Sequence, residues 1–212
     1  MSDATLEQIL IDTAAYLDLE AALPTDDELA TRSNYAHRAV REAAAVGHLK
    51  EFSRVYETYI TAPTLSLPTD FREPEESLYA LDSSGGWAEF PIIRGKDKYK
   101  HDVSEQFAYI LGNRADGFTM TLNNMASYTT ISLPYQKYPA GLTTLTSVCE
   151  LSDEIYVTRK VESYVLESRS DDRFVLVDAD ANRRLTNMSG RSNKKPPGTG
   201  NRIGKNFTNP LG

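Results

Sequence analysis

The chain has 212 residues, enough for one generous domain or two small ones, and at that size roughly 70% of the unfolded surface can be buried without a covalent staple. Its single cysteine, Cys149, excludes an internal disulfide and a cysteine-built metal site, and no apolar run approaches the roughly 18 residues that a membrane helix needs. The net charge of −7 conceals a split: up to Asp180 there are 16 basic against all 30 acidic residues, a balance of −14, whereas the last 32 residues hold seven basic residues and no acid.

In chain order, the opening Met1-Ser2-Asp3-Ala4-Thr5 is polar and acidic, the wrong chemistry for a signal peptide, so a soluble protein made in the cytoplasm is expected. Leu6, Ile9, Leu10, Thr13, Tyr16 and Leu17 recur at three- and four-residue steps and predict an amphipathic helix. Leu23-Pro24 breaks it. A second helix is expected from a capping box at Thr25 and Glu28, with a small-residue inner face of Ser33, Ala36, Val40, Ala43 and Ala44 and a stop at Gly47.

The period then changes. Aromatic and β-branched residues dominate from Phe52 to Ile60, and strands are predicted at Ser77–Leu81, Trp87–Ile93, Phe107–Leu111, Phe118–Leu122 and Tyr128–Leu133. Turn residues separate them, at Ser84-Gly85-Gly86, Asn113–Gly117 and Asn123-Asn124. Pro68, Pro74, Pro91 and Pro134 are expected at strand ends or edges, because proline lacks the ladder donor, and Asp97–Gln106 reads as a short helix. Helical periodicity returns after Ser152 with Ile155, Val161, Tyr164 and Val165 on one stripe. After a turn at Ser168–Asp172, a last helix carries Phe174, Val177, Ala181, Leu185 and Met188 to a stop at Gly190. The remaining segment is rich in Gly, Pro, Asn and Lys and has too few apolar residues to order itself.

The predicted fold is therefore α+β, with no internal repeat. A helical bundle is formed from both chain ends (residues 1–50 and 141–190), an antiparallel β-domain is inserted at 51–140, and a basic tail extends over 191–212. Val40, Ala43, Val161, Val165, Leu185 and Met188 are expected to share one core.

No catalytic, cofactor or metal site is expected. His37, His48 and His101 are scattered, without the short spacing of a metal site. Glu73, Glu75 and Glu76 sit in a proline-containing loop and read as a solvated turn rather than as paired catalytic carboxylates. Gly198–Lys205 imitates a phosphate loop but has Thr199 where glycine is required and Asn206 after the lysine, with no strand before it or helix after it. Twelve tyrosines, several grouped at Tyr56, Tyr59, Tyr128, Tyr135 and Tyr138, are compatible with strand packing, a protein interface or a sugar platform.

Three phrases in order carry a resemblance. They are Thr64-Leu65-Ser66-Leu67-Pro68-Thr69-Asp70-Phe71, then Ile131-Ser132-Leu133-Pro134-Tyr135-Gln136-Lys137-Tyr138-Pro139 following Tyr109–Gly112 and Phe118–Leu122, then the helix pair after Leu151-Ser152-Asp153. Together, over roughly residues 30 to 190, they resemble the head-to-tail adaptor (connector, or neck) proteins of tailed bacteriophages. The resemblance implies a structural virion protein rather than an enzyme. It implies a ring, usually twelve-membered, below the portal protein, where it extends the channel for genomic DNA and joins further neck or tail proteins. No cofactor and no membrane contact are implied, and stoppers and tail-completion proteins share the same phrases. An acidic body suits such a channel, because basic walls would hold the phosphates. The competing reading is a carbohydrate- or receptor-binding β-module built on Trp87 and the tyrosines.

The tail is the expected binding element. Arg191, Lys194, Lys195, Arg202 and Lys205 would meet an acidic groove, which the resemblance places on the portal. Ile203, Phe207 and Leu211, four apart, would serve as apolar anchors, with Pro196 and Pro197 keeping the arm extended. Ordering each residue costs about 1–2 kcal/mol of backbone entropy, so such an arm needs an extensive docking surface.

Overall fold

A computed structural model describes residues 4–18, 20–75 and 77–192. The chain is an α+β protein. Helix α1 spans Leu6–Leu17, and the Thr5 hydroxyl caps it by accepting from the Gln8 amide. Leu6, Ile9, Leu10 and Thr13 are buried as their spacing predicts, but Ala14 takes the place expected for Tyr16. Tyr16 is half-exposed, and the Arg159 guanidinium lies 4.1 Å from its ring centre. Helix α2, Asp26–Val46, starts after Thr25, yet no capping box forms. The Glu28 carboxylate is drawn away by Arg32 at 2.8 Å and Arg169 at 3.4 Å. Arg32, only 2% exposed, also holds Asp18 at 2.8 Å, so one guanidinium joins the end of α1 to the start of α2.

Helices α3, Glu154–Ser168, and α4, Phe174–Ser192, close the described chain. Asp153, not Ser152, precedes α3, and its carboxylate bonds Arg184 at 3.2 Å instead of capping the helix. The tight turn into α4 needs a positive φ at Ser170, and α4 runs through Gly190 without stopping there.

Helix α3 touches α1, α2 and α4 and is buried on most of its circumference, which a single stripe did not predict. Two of its buried polar side chains find partners on neighbouring helices: Lys160 reaches Asp178 at 2.6 Å, and the Tyr156 hydroxyl donates to the Ala39 carbonyl at 3.3 Å. Leu10, Val40, Ala43, Val161, Leu185 and Met188 belong to one apolar cluster. Val165 is buried but lies outside that cluster, in a hollow with Tyr35 and Arg169, and Ile155 points toward solvent. The cluster also takes in Leu49, Phe52, Leu142, Cys149 and Leu151, because the 142–151 segment is laced to α1 through Leu6 N–Ser147 O and Cys149 N–Ala4 O, each 2.9 Å.

Among the described residues, nine strands lie between α2 and α3: β1 Ser53–Tyr59, β2 Thr64–Ser66, β3 Phe71–Pro74, β4 Leu78–Asp82, β5 Trp87–Phe90, β6 Ile92–Arg94, β7 Phe107–Asn113, β8 Gly117–Asn123 and β9 Tyr128–Lys137. One sheet has the order β1-β9-β4-β5, with β3 also on β9, and the other runs β2-β8-β7-β6. Their inner faces share one core that includes Leu65, Phe71, Leu78, Met120, Ile131 and Leu133.

Three expectations are corrected here. The predicted strand Trp87–Ile93 splits at Pro91, and its halves join different sheets, so the proline makes a corner. The second half pairs β7 in parallel, so the β-region is not wholly antiparallel. The short helix expected at Asp97–Gln106 is a 3-10 helix displaced to Gly95–Lys100 and followed by turns.

Pro134 sits inside β9, a central strand, against expectation. Its carbonyl accepts from the Glu75 amide at 3.0 Å, at the gap between the end of β3 and the start of β4. A residue's N–H and C=O leave a strand on the same side, so the missing donor falls where the regular ladder is interrupted between β3 and β4.

Leu10 is fully buried where α1 meets the other helices, so Leu10→Ala should cost about 2–5 kcal/mol, whereas the exposed Leu176→Ala on α4 should stay within about 0.5 kcal/mol. Urea unfolding followed by circular dichroism measures both.

Candidate functional site

Of the expected tail residues, Arg191 falls in the last turn of α4, and Lys194, Lys195, Arg202, Ile203, Lys205, Phe207 and Leu211 lie outside the described residues. No three His, Cys, Asp or Glu side chains gather as a metal site among the described residues, and no described helix is long and apolar enough to cross a membrane. His101 bonds Glu105 at 2.8 Å. Glu73 is engaged by Arg72 and Glu75 by Gln136, while Glu76 is not described. Cys149 is buried, and that burial pushes its thiol up to about 11. A thiol so placed packs as a small apolar group and is poorly nucleophilic.

Two surfaces remain. The first is the outer face of the larger sheet. Paired residues in an antiparallel ladder share a face. The register Tyr59↔Thr130, Leu81↔Thr130, Tyr79↔Glu89 and Leu81↔Trp87 therefore gathers Tyr59, Tyr79, Leu81 and Trp87 on one side. Tyr59 is 74% and Trp87 53% exposed. Tyr56 and Tyr128 instead pack against the β-core: Tyr56 donates to the Ser66 carbonyl at 3.1 Å, and Tyr128 meets Phe90 edge-on at 5.0 Å.

The second is a cleft of about 630 Å³ where α2 meets the β-region, with Arg41, Arg72 and Arg114 among its walls. Each arginine is presented by a local device. Arg41 stands on α2. Arg72 is the extra residue of a bulge in β3, between Phe71↔Lys137 and Glu73↔Gln136, and its guanidinium donates to the Ala44 carbonyl. Ala44 lies in the last turn of α2, where carbonyls lack helical partners and the helix dipole favours a cation.

Arg114 tips the β7–β8 hairpin. Asn113 Oδ1 accepts from the Ala115 and Asp116 amides at 2.8 and 3.0 Å, an Asx turn. Gly112 bends the strand with φ +114°, and a Cβ there would lie 2.2 Å from the Gly117 carbonyl oxygen. The turn sets the Arg114 guanidinium 4.3 Å from the Tyr138 ring centre. His37 packs over Gly141, where a Cβ would come within 3.0 Å of the ring, and its Nδ1 is buried without a hydrogen bond. These arginines were not singled out from the sequence. They come from a helix, a bulge and a hairpin far apart in the chain; the helix and the Asn113–Gly117 turn were expected from the sequence, the bulge at Arg72 was not.

Beneath the cleft, the phrases that carried the family resemblance meet. The Tyr135 hydroxyl donates to Asp70 at 2.9 Å, the Tyr138 amide donates to the Asp70 carbonyl at 2.6 Å, and Phe71 pairs with Lys137. Lys137 in turn binds Glu150, which ties β9 to the segment leading into α3. Comparison with known protein families finds no match to the chain, and comparison with curated proteins finds none either.

Burial, with the bond to Asp70, pushes the Tyr135 phenol up to about 12. A folded-state value raised above the ordinary one means that this contribution is intact below about pH 10 and is lost as pH climbs through 12. Tyr135→Phe should lose up to about 1.5–3 kcal/mol at neutral pH. It should also show a shallower fall in stability between pH 10 and 12 than the parent, read by denaturant unfolding across that range.

Proposed function

We propose that the chain is a structural head-to-tail adaptor of a tailed bacteriophage. It forms a ring below the portal, extends the DNA channel and links capsid to tail, and it resides in the virion neck. The helices before and after the β-region are read as one bundle from which the β-domain projects. The observation that carries this reading is the contact at Asp70. The Leu-Pro-x-Asp-Phe and Tyr-x-x-Tyr-Pro phrases that resemble the adaptor family are 65 residues apart between Asp70 and Tyr135, yet they are bonded to one another. They thus act as one structural unit at the base of the β-region, as shared ancestry with that family would require. The charge balance of −14 up to Asp180 also suits a wall along which duplex must slide.

The basic tail is the proposed portal-docking arm. Since α4 continues to Ser192, the clean truncation is after that residue, not after Gly190. Removal of 193–212 should leave a folded body with unchanged thermal unfolding that no longer co-sediments with the portal. Full portal attachment by the truncated chain would rule out a docking arm. Sub-micromolar duplex binding by the truncated body at about 0.15 M salt would count against a sliding channel.

The exposed Trp87 and Tyr59 favour one second reading, a glycan- or receptor-binding sheet face. Trp87 is the chain's single tryptophan, so its fluorescence reports directly on that face. On the adaptor reading, a soluble glycan panel leaves the emission unchanged, and a saturable shift abolished by Tyr59→Ala would favour the β-module.

A further inference from the structure

The arginine cleft inverts the charge of the body around it. Its three guanidinium groups face one carboxylate, Glu73, which Arg72 already holds. Arg32, Arg38, Arg159 and Arg169 are each bound to carboxylates of the chain itself. Arg41 and Arg114, in contrast, make no ion pair among the described residues. Arg41 is exposed on a helix, and the Arg114 guanidinium is held over the Tyr138 ring, 4.3 Å from its centre. A fixed planar guanidinium presents paired N–H donors that match a carboxylate, and pre-orientation lowers the entropy lost on binding.

The matching carboxylates stand at the other end of the same helix. Glu20, in the link between α1 and α2, and Asp27, in the first turn of α2, are exposed and pair with no cation among the described residues, whereas Asp18 and Glu28 are taken by Arg32 and Arg169. Asp27 and Arg41 are separated along α2 by roughly 21 Å at 1.5 Å per residue, and at 100° per residue they lie within about 40° of each other around its axis. Asp27 and Arg41 therefore put complementary charges at the two ends of one side of α2, too far apart to meet within one chain.

We propose that the Arg41–Arg114 cleft receives Glu20 and Asp27 of a second copy of this chain, so that copies join head to tail. Such a contact uses two different patches on each subunit and closes into a ring when its rotation divides a full turn. The occupant is a protein carboxylate and not a nucleic-acid phosphate, because the surrounding body repels a polyanion while each further copy supplies the acidic end. This inference rests on the ring reading above and names the residues that make the ring.

Complementary charge reversal tests it on the full-length chain by native mass spectrometry at low salt. One variant carries Arg41→Glu and Arg114→Glu, the other Glu20→Lys and Asp27→Lys. The parent should assemble, and each variant alone should need at least tenfold higher concentration to do so. An equimolar mixture should reassemble in alternation, since each then offers what the other lacks. The neutral pair Arg41→Gln and Arg114→Gln, which adds no repulsion, should also weaken assembly. Circular dichroism melts verify that all four chains fold. A parent that stays monomeric refutes the ring reading and this contact with it. A ring that persists in both reversed variants refutes the contact alone. A mixture that fails to reassemble, or duplex binding lost with Arg41→Gln and Arg114→Gln, likewise overturns the carboxylate assignment.

Discussion

Helix α3 is enclosed by α1 and α2, which precede the β-region, and by α4, which follows it. Its burial is the constraint on which the rest depends. A helix with Val157 and Val161 fully buried and Lys160 and Glu162 nearly so cannot hold its conformation until the early helices cover it. The chain must therefore leave the helical core at Phe52 and return to it at Leu142, both of which are buried in that core. The β-region is folded back on itself because its exit has to lie beside its entrance. Pairing of β1 with β9 over seven residues, the first strand with the last, meets that requirement directly.

The junction is then locked by polar contacts rather than by a continuous apolar core. Arg72 binds the last turn of α2, Lys137 binds Glu150, and Asp70 collects Tyr135 and Tyr138. The Arg72 and Lys137 locks couple strands to the end of α2 and to the segment leading into α3, while Asp70 fixes the start of β3 against β9; such contacts are directional where apolar burial is not. The arginine cleft is a consequence of this arrangement. Arg72 comes to it as a helix-end partner, and the hairpin that carries Arg114 overhangs the same seam.

Charge is partitioned along the molecule as well as along the chain. Carboxylates dominate the body, yet the seam is cationic and the α1–α2 end acidic. A surface organised in this way favours contacts made in a fixed orientation between copies, because like-charge encounters elsewhere are repelled. The outer sheet face, where Tyr59 and Trp87 stand among Glu57, Glu89, Thr130 and Ser132, offers a second surface of a different chemistry on the far side of β9 from the inner core.

Much was legible in the residues themselves. The helices at 6–17 and 26–46, the strands around the Asn113–Gly117 hairpin and the interhelical turn at Ser168–Asp172 all follow from local periodicity and turn chemistry, which act between near neighbours. What only the tertiary structure decided was which competing partner a polar group takes, and which faces meet. Glu28 turns to Arg32 and Arg169 instead of capping its helix. Pro134 is tolerated in a central strand because β3 ends and β4 begins beside it. Pro91 sends one apolar run into two sheets. Arg41, Arg72 and Arg114 form a site only because a helix, a bulge and a hairpin converge. A sequence specifies short-range steric and hydrophobic preferences at each position, but the energy of an ion pair or a missing ladder bond depends on what stands across the gap, and that is determined by the packing of segments far apart in the chain.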